Sequence, residues 1–182
     1  MKQLMLIIIY LFVSLGSLYA QRTEKGTILV EEFLAPSIQG NSGGEDPMRQ
    51  VTIYLPSGYE DNKQHYPVLY FLHGFTVDDS FYMSTYRLNE LLDEAIASGH
   101  IRPMILVLPN SDTKFKGSFY TNTQINGKWA DYISRDVVAF IDKKFRTIPN
   151  KNSRGLAGHS MGGNGAIKIE MTNSNVFGAV YA

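Results

Sequence analysis

The strongest constraint on this chain is Gly158-His159-Ser160-Met161-Gly162, a serine with a glycine two residues to either side. The preceding Ser153-Arg154-Gly155-Leu156-Ala157 can form a short buried strand, and residues 163–171 can form a closely packed helix. A strand that turns sharply into a helix leaves no room for a Cβ beside the turn, which explains glycine at both places. The serine at the apex is then forced into a sparsely populated backbone region with its hydroxyl thrust outward. The helix that follows aims its free N–H groups at the point where negative charge would develop. A glycine-rich turn with an incidental serine would share the spacing. The strand before and the helix after favour a nucleophile elbow.

The flanking pattern agrees. Val68-Leu69-Tyr70-Phe71-Leu72 and Met104-Ile105-Leu106-Val107-Leu108 are unbroken apolar runs, bounded by Pro67 and Gly74 and by Pro103 and Pro109. Such runs suit strands buried on both faces of a parallel sheet. Residues 27–33 read as a first strand, and residues 49–55 alternate polar and apolar, as a half-exposed antiparallel strand does. Leu88, Leu91, Leu92 and Ile96 fall at helical spacing. Trp129, Tyr132, Ile133, Val137, Phe140, Ile141 and Phe145 trace a second helical face, and residues 176–181 read as a last buried strand. Antiparallel strands followed by β-α-β-α-β-α-β predict an α/β fold, a mostly parallel sheet with helices on both faces. The one long irregular segment runs from Asn110 to Lys128, and loops at the carboxyl ends of parallel strands usually carry the site.

Lys and Arg total 17, as do Asp and Glu, so bulk charge offers no case for nucleic acid or an anionic surface. No cysteine is present, which excludes disulfides, thiol chemistry and cysteine-bound metal. Met1-Lys2-Gln3, the apolar Leu4–Leu15 and the small residues near Ala20 predict a signal peptide spanning 1–20, followed by a single domain over 21–182. An uncleaved anchor is the alternative, although the apolar run is short for a span. The leader places the mature protein outside the cytoplasm, secreted or periplasmic, with no stable membrane anchor.

His73-Gly74-Phe75 follows the first buried run. In an elbow hydrolase one oxyanion donor is the N–H after the nucleophile, here Met161, and the other comes from this loop. Gly74 permits close approach, and Phe75 N–H is the candidate donor. Ser118, Phe119, Tyr120, Asn122 and Asn126 could line an acyl or sugar pocket, or could simply pack the long loop down. Asp78 and Asp79 read as solvated loop carboxylates. Neither they nor the histidines have metal-ligand spacing, so no metal and no cofactor are expected.

Three segments together, Pro67-Val68-Leu69-Tyr70-Phe71-Leu72-His73-Gly74, Trp129-Ala130-Asp131-Tyr132-Ile133 and Gly158-His159-Ser160-Met161-Gly162-Gly163, resemble the esterase D-type family of α/β-hydrolases. The likeness runs from about Val51 to the end. That family includes feruloyl and acetyl-xylan esterases, S-formylglutathione hydrolases, enterochelin esterases and mycolyltransferases. The resemblance implies Ser160 as nucleophile, Phe75 and Met161 as oxyanion donors, and an acyl-enzyme route on a small or polysaccharide-linked ester. It also implies an acid and a histidine after later strands, in the order Ser, Asp/Glu, His. His65, His73, His100 and His159 all precede or adjoin Ser160, so the α/β-hydrolase domain is expected to be truncated after the strand following the elbow helix. Alternatives are an acyltransferase of the same family and a non-catalytic relative without the triad.

Overall fold

The two unbroken apolar runs lie side by side in the middle of one sheet. In a computed structural model the described residues are 25–182, and the expected leader lies outside them. The strands are β1 (Thr27–Leu34), β2 (Met48–Leu55), β3 (Val68–Leu72), β4 (Ile105–Pro109), the short pair β5 (Asn122–Thr123) and β6 (Gly127–Lys128), β7 (Arg154–Gly158) and β8 (Ala179–Tyr181). Six of them form a sheet in the order β1-β2-β4-β3-β7-β8. β4, β3, β7 and β8 run parallel, while β2 runs antiparallel to both β1 and β4.

Helices cover both faces, because alternate side chains of the central strands feed two separate cores. On one face Val68, Tyr70, Leu72, Ile105 and Val107 pack with Trp129, Ile133, Val137, Ile141 and Ile169. Leu106 and Leu108 on the other face meet Tyr82, Met83 and Leu92, with Leu69 and Phe71 packed alongside. The latter face carries α1 (Phe81–Thr85) and α2 (Leu88–Ala97). The former carries α3, residues 129–144, and α4 (Met161–Thr172). Each large side chain so buried contributes on the order of 1.5–3 kcal/mol.

Helix α3 is not regular. Its α-helical ends, Trp129–Asp131 and Val138–Lys144, flank a π-turn at Tyr132–Val137. Residues 129, 133, 137 and 141 are all fully buried. An apolar stripe at every fourth residue drifts by about 40° per step around a straight α-helix. The wider π-turn takes up that drift and keeps the stripe on the sheet.

Some expectations need correction. Leu91 is 55% exposed, so the buried face of α2 is narrower than its apolar spacing suggests. The last strand is shorter than 176–181. Val176 N–H donates to Asn173 O in a turn, and Phe177 is buried edge-on against Tyr70, with ring centroids 5.7 Å apart. Apolarity there serves the core beneath the turn, and pairing starts only at Ala179. The long loop is not wholly irregular, since it holds the β5–β6 hairpin.

Topology places the site. The elbow follows β7, the His73 loop follows β3 and the long loop follows β4, all at the carboxyl ends of parallel strands. Because Val51 of β2 pairs with Pro109 of β4, the β1–β2 loop rises at this same end.

Candidate active site

Ser160 sits at φ 55° and ψ −114°, between the end of β7 and the first turn of α4. Such a conformation is costly for a residue with a side chain and persists only where the surroundings enforce it. Close packing supplies the force. A Cβ on Gly158 would run into the Gly162 backbone, and one on Gly162 would run into the Leu72 carbonyl. The elbow is therefore pressed onto the end of β3, where His159 N–H also donates to Leu72 O at 3.2 Å. Ser160 is exposed, and its hydroxyl has no hydrogen-bond partner among the described residues.

The backbone donors around it divide cleanly. Gly162 N–H donates to His159 O at 2.9 Å and Asn164 N–H to Ser160 O at 3.1 Å. On the facing loop Gly74 N–H donates to Tyr82 Oη at 3.2 Å and Thr76 N–H to Lys116 O at 3.0 Å. Between these satisfied groups the N–H groups of Met161 and Phe75 have no partner among the described residues. Unpaired N–H groups beside a strained serine are what an oxyanion hole requires.

The four histidines are engaged elsewhere. His73 is buried with both ring nitrogens occupied: Nε2 accepts from Ser111 N–H at 2.8 Å and Nδ1–H donates to Gly74 O at 2.9 Å. Burial pushes its pKa below the usual histidine value, partly offset by the Gly74 carbonyl and by Asp79, so it stays neutral and ties the β3 loop to the β4 loop. His159 Nδ1 bonds to Tyr82 Oη at 3.0 Å. His65 and His100 precede β3 and β4, at the opposite end of the sheet, where they bond to Thr147 O and to Ser98 Oγ. A five-residue strand spans roughly 16 Å, so neither reaches the elbow.

Asp79 departs from its expected place. It is 1% exposed, and its carboxylate accepts from Thr52 Oγ1 at 2.6 Å, Gln50 Nε2 at 3.1 Å and Asn110 Nδ2 at 2.8 Å. Three donors replace the water it leaves. Asn110 is held in turn by Arg49, whose guanidinium also donates to Asp112 O and lies 4.9 Å from the Trp129 ring centre. Asp78 stays nearer the surface and receives the N–H groups of Ser80 and Phe81, anchoring the start of α1.

The long loop splits between its two readings. Tyr120 is fully buried and donates from its hydroxyl to His73 O at 3.0 Å. Ser118 Oγ accepts from Tyr120 N–H. Asn122 Oδ1 accepts from Ala130 and Asp131 N–H, so it caps α3. Asn126 lends its carbonyl to Trp129 Nε1. Phe119 is the one exposed aromatic of the five, 53% exposed, its ring 5.7 Å from that of the 45%-exposed Phe75. Gly117 lies so close to Met161 and the Phe75 ring that a side chain there would collide with both. Nothing in the local sequence marks Tyr82, Asp79 or Asn110 as site-building residues; their roles come mainly from contacts 27 to 77 residues apart.

The "Putative esterase" family model matches residues 45–182. The chain belongs to that family. It is 31% identical over 138 residues to an endo-1,4-beta-xylanase/feruloyl esterase of Xylanibacter ruminicola, covering 72% of this chain and 19% of that protein. A solved ferulic acid esterase superposes with a TM-score of 0.77 at 28% identity, over 87% of this chain and 59% of that one. A fluorophosphonate-binding serine hydrolase of Staphylococcus aureus superposes with a TM-score of 0.69 at 24% identity, over 86% of this chain and 56% of that one, a likeness of fold alone. The fold is that of α/β-hydrolases, and the chain spans a little over half the length of these solved relatives.

Proposed function

We propose that residues 21–182 form the nucleophile-bearing part of an exported serine carboxylic-ester hydrolase. The observation that carries this is the strained Ser160, followed by the unpaired N–H of Met161 and packed through His159 against the Gly74 loop, from which we infer the Phe75 N–H as second donor. Ser160 Oγ attacks the ester carbonyl carbon and the carbonyl oxygen becomes an anion held by the two N–H groups. The alcohol departs with a proton, and water then releases the acid from the acyl-enzyme. Each donor contributes roughly 2.7–4 kcal/mol of transition-state stabilisation. The base and its carboxylate partner are assigned to the part of the relatives' fold that this sequence does not span. No histidine among the described residues bonds to Ser160.

The substrate we infer is an aromatic acyl ester on plant polysaccharide. The support is the exposed Phe75–Phe119 pair beside the elbow and the feruloyl esterases among the relatives. The predicted leader over 1–20 supports a secreted or periplasmic site of action. Among the described residues no helix is long and apolar enough to cross a membrane. If an alcohol replaced water in the second step, the same centre would act as an acyltransferase.

Hydrolysis of methyl ferulate by the protein expressed from its full gene tests this reading. Ser160→Ala should lower the rate by at least about 10⁴-fold. Unchanged turnover by that variant would exclude Ser160 as nucleophile.

A further inference from the structure

A polar cleft of about 430 Å³ opens between the β1–β2 loop and the β5–β6 hairpin. It lies at the same end of the sheet as Ser160, because both loops leave strands at that end. Ser37, Gln39 and Ser42 stand on one wall, Thr123, Gln124 and Lys128 on the other. No carboxylate lines it, and Lys128 is its one charged residue. From this we infer a binding subsite for a neutral polyhydroxylated chain, the sugar portion of the ester substrate. The inference rests on the esterase reading for its link to Ser160.

Three observations support it. First, the walls are fixed before any ligand arrives. Ser42 N–H donates to Gln124 O at 3.0 Å and Gly43 N–H to Ile125 O at 2.6 Å, stapling one loop to the other. Ser37 N–H donates to the Asp136 carboxylate of α3 at 2.8 Å, and Asn41 bonds back to Ile38 and Glu45 within its own loop. Fixed walls lower the ordering cost of binding. Second, the side chains of Gln39, Ser42, Gln124 and Lys128 have no hydrogen-bond partner among the described residues. Amides and hydroxyls both donate and accept, which matches sugar hydroxyls that do the same. Third, the cleft and the proposed acyl platform are close neighbours along the chain. Thr123 lies four residues beyond Phe119, so the chain places it within about 14 Å of that ring-bearing residue. A sugar chain whose acyl group rests on Phe119 would run toward the hairpin.

The test uses the protein from its full gene, with xylopentaose as the probe. Isothermal titration should show binding that weakens about tenfold in a Gln39→Ala/Gln124→Ala double variant, the equivalent of about 1.4 kcal/mol. In kinetics, the ratio of kcat/KM on a feruloylated arabinoxylo-oligosaccharide to kcat/KM on methyl ferulate should fall by a similar factor. No binding of xylopentaose, or equal binding by the variant, would overturn the subsite. The titration needs no turnover, so it decides the subsite even if Ser160→Ala shows that the esterase reading is wrong. Conversely, normal ester hydrolysis with no sugar binding would leave the esterase reading standing and remove the subsite.

Discussion

Tyr82 Oη lies 3.0 Å from His159 Nδ1 and also accepts the Gly74 N–H at 3.2 Å. One hydroxyl thus joins the elbow to the loop that presents Phe75. Burial raises the Tyr82 pKa, which keeps the hydroxyl protonated and able to serve both partners. Tyr82→Phe should leave the Gly74 N–H unpaired, at a cost of about 1–3 kcal/mol. We expect kcat on methyl ferulate to fall about tenfold or more with little change in KM, because the loss falls on transition-state geometry. A changed KM at constant kcat would mean that Tyr82 acts on binding.

The elbow's glycines make a stability prediction. A methyl group on Gly162 would meet the Leu72 carbonyl, which belongs to a central strand and cannot give way. Gly162→Ala should destabilise the fold by roughly 3 kcal/mol, lowering Tm by about 6–12 °C. A thermal melt checks this, and an unchanged Tm would show that the turn relaxes freely.

That much was legible from sequence, because glycine spacing and unbroken apolar runs report steric and burial demands carried by neighbouring residues. The sheet centre and the elbow follow from such local rules. What was not legible depends on distant partners. Asp79 looks like a solvated loop acid until Gln50, Thr52 and Asn110 converge on it. Asn122 looks like a pocket amide until the first turn of α3 takes its carbonyl. The π-turn was written in the fourfold spacing of residues 129, 133, 137 and 141, but a helical face drawn at ordinary pitch conceals it.

His73 predicts a pH dependence. Its folded pKa is depressed, chiefly by burial, so the unfolded chain binds its proton more readily. The stability this histidine contributes is complete above its unfolded pKa, about 6.5, and declines as pH falls toward the lower folded value. Tm scanned downward from about pH 8 should hold level and then drop below about pH 6.5. In His73→Gln that part of the slope should vanish; an identical slope would assign it to other groups.

Phe119 predicts a change in acyl preference. Its exposed ring beside Phe75 offers a face to an aromatic acyl group. Phe119→Ala should reduce kcat/KM on a feruloyl ester relative to an acetyl ester by about 1 kcal/mol, roughly fivefold. An equal effect on both esters would show that Phe119 only packs the loop.

Covalent capture of the nucleophile singles out Ser160 among the serines of the chain. A fluorophosphonate reacts by attack of an activated serine oxygen on phosphorus with loss of fluoride. Peptide mapping of the protein expressed from its full gene, after such treatment, should find the adduct on Ser160 and none in Ser160→Ala. An adduct on a different serine, or undiminished labelling of Ser160→Ala, would contradict the account.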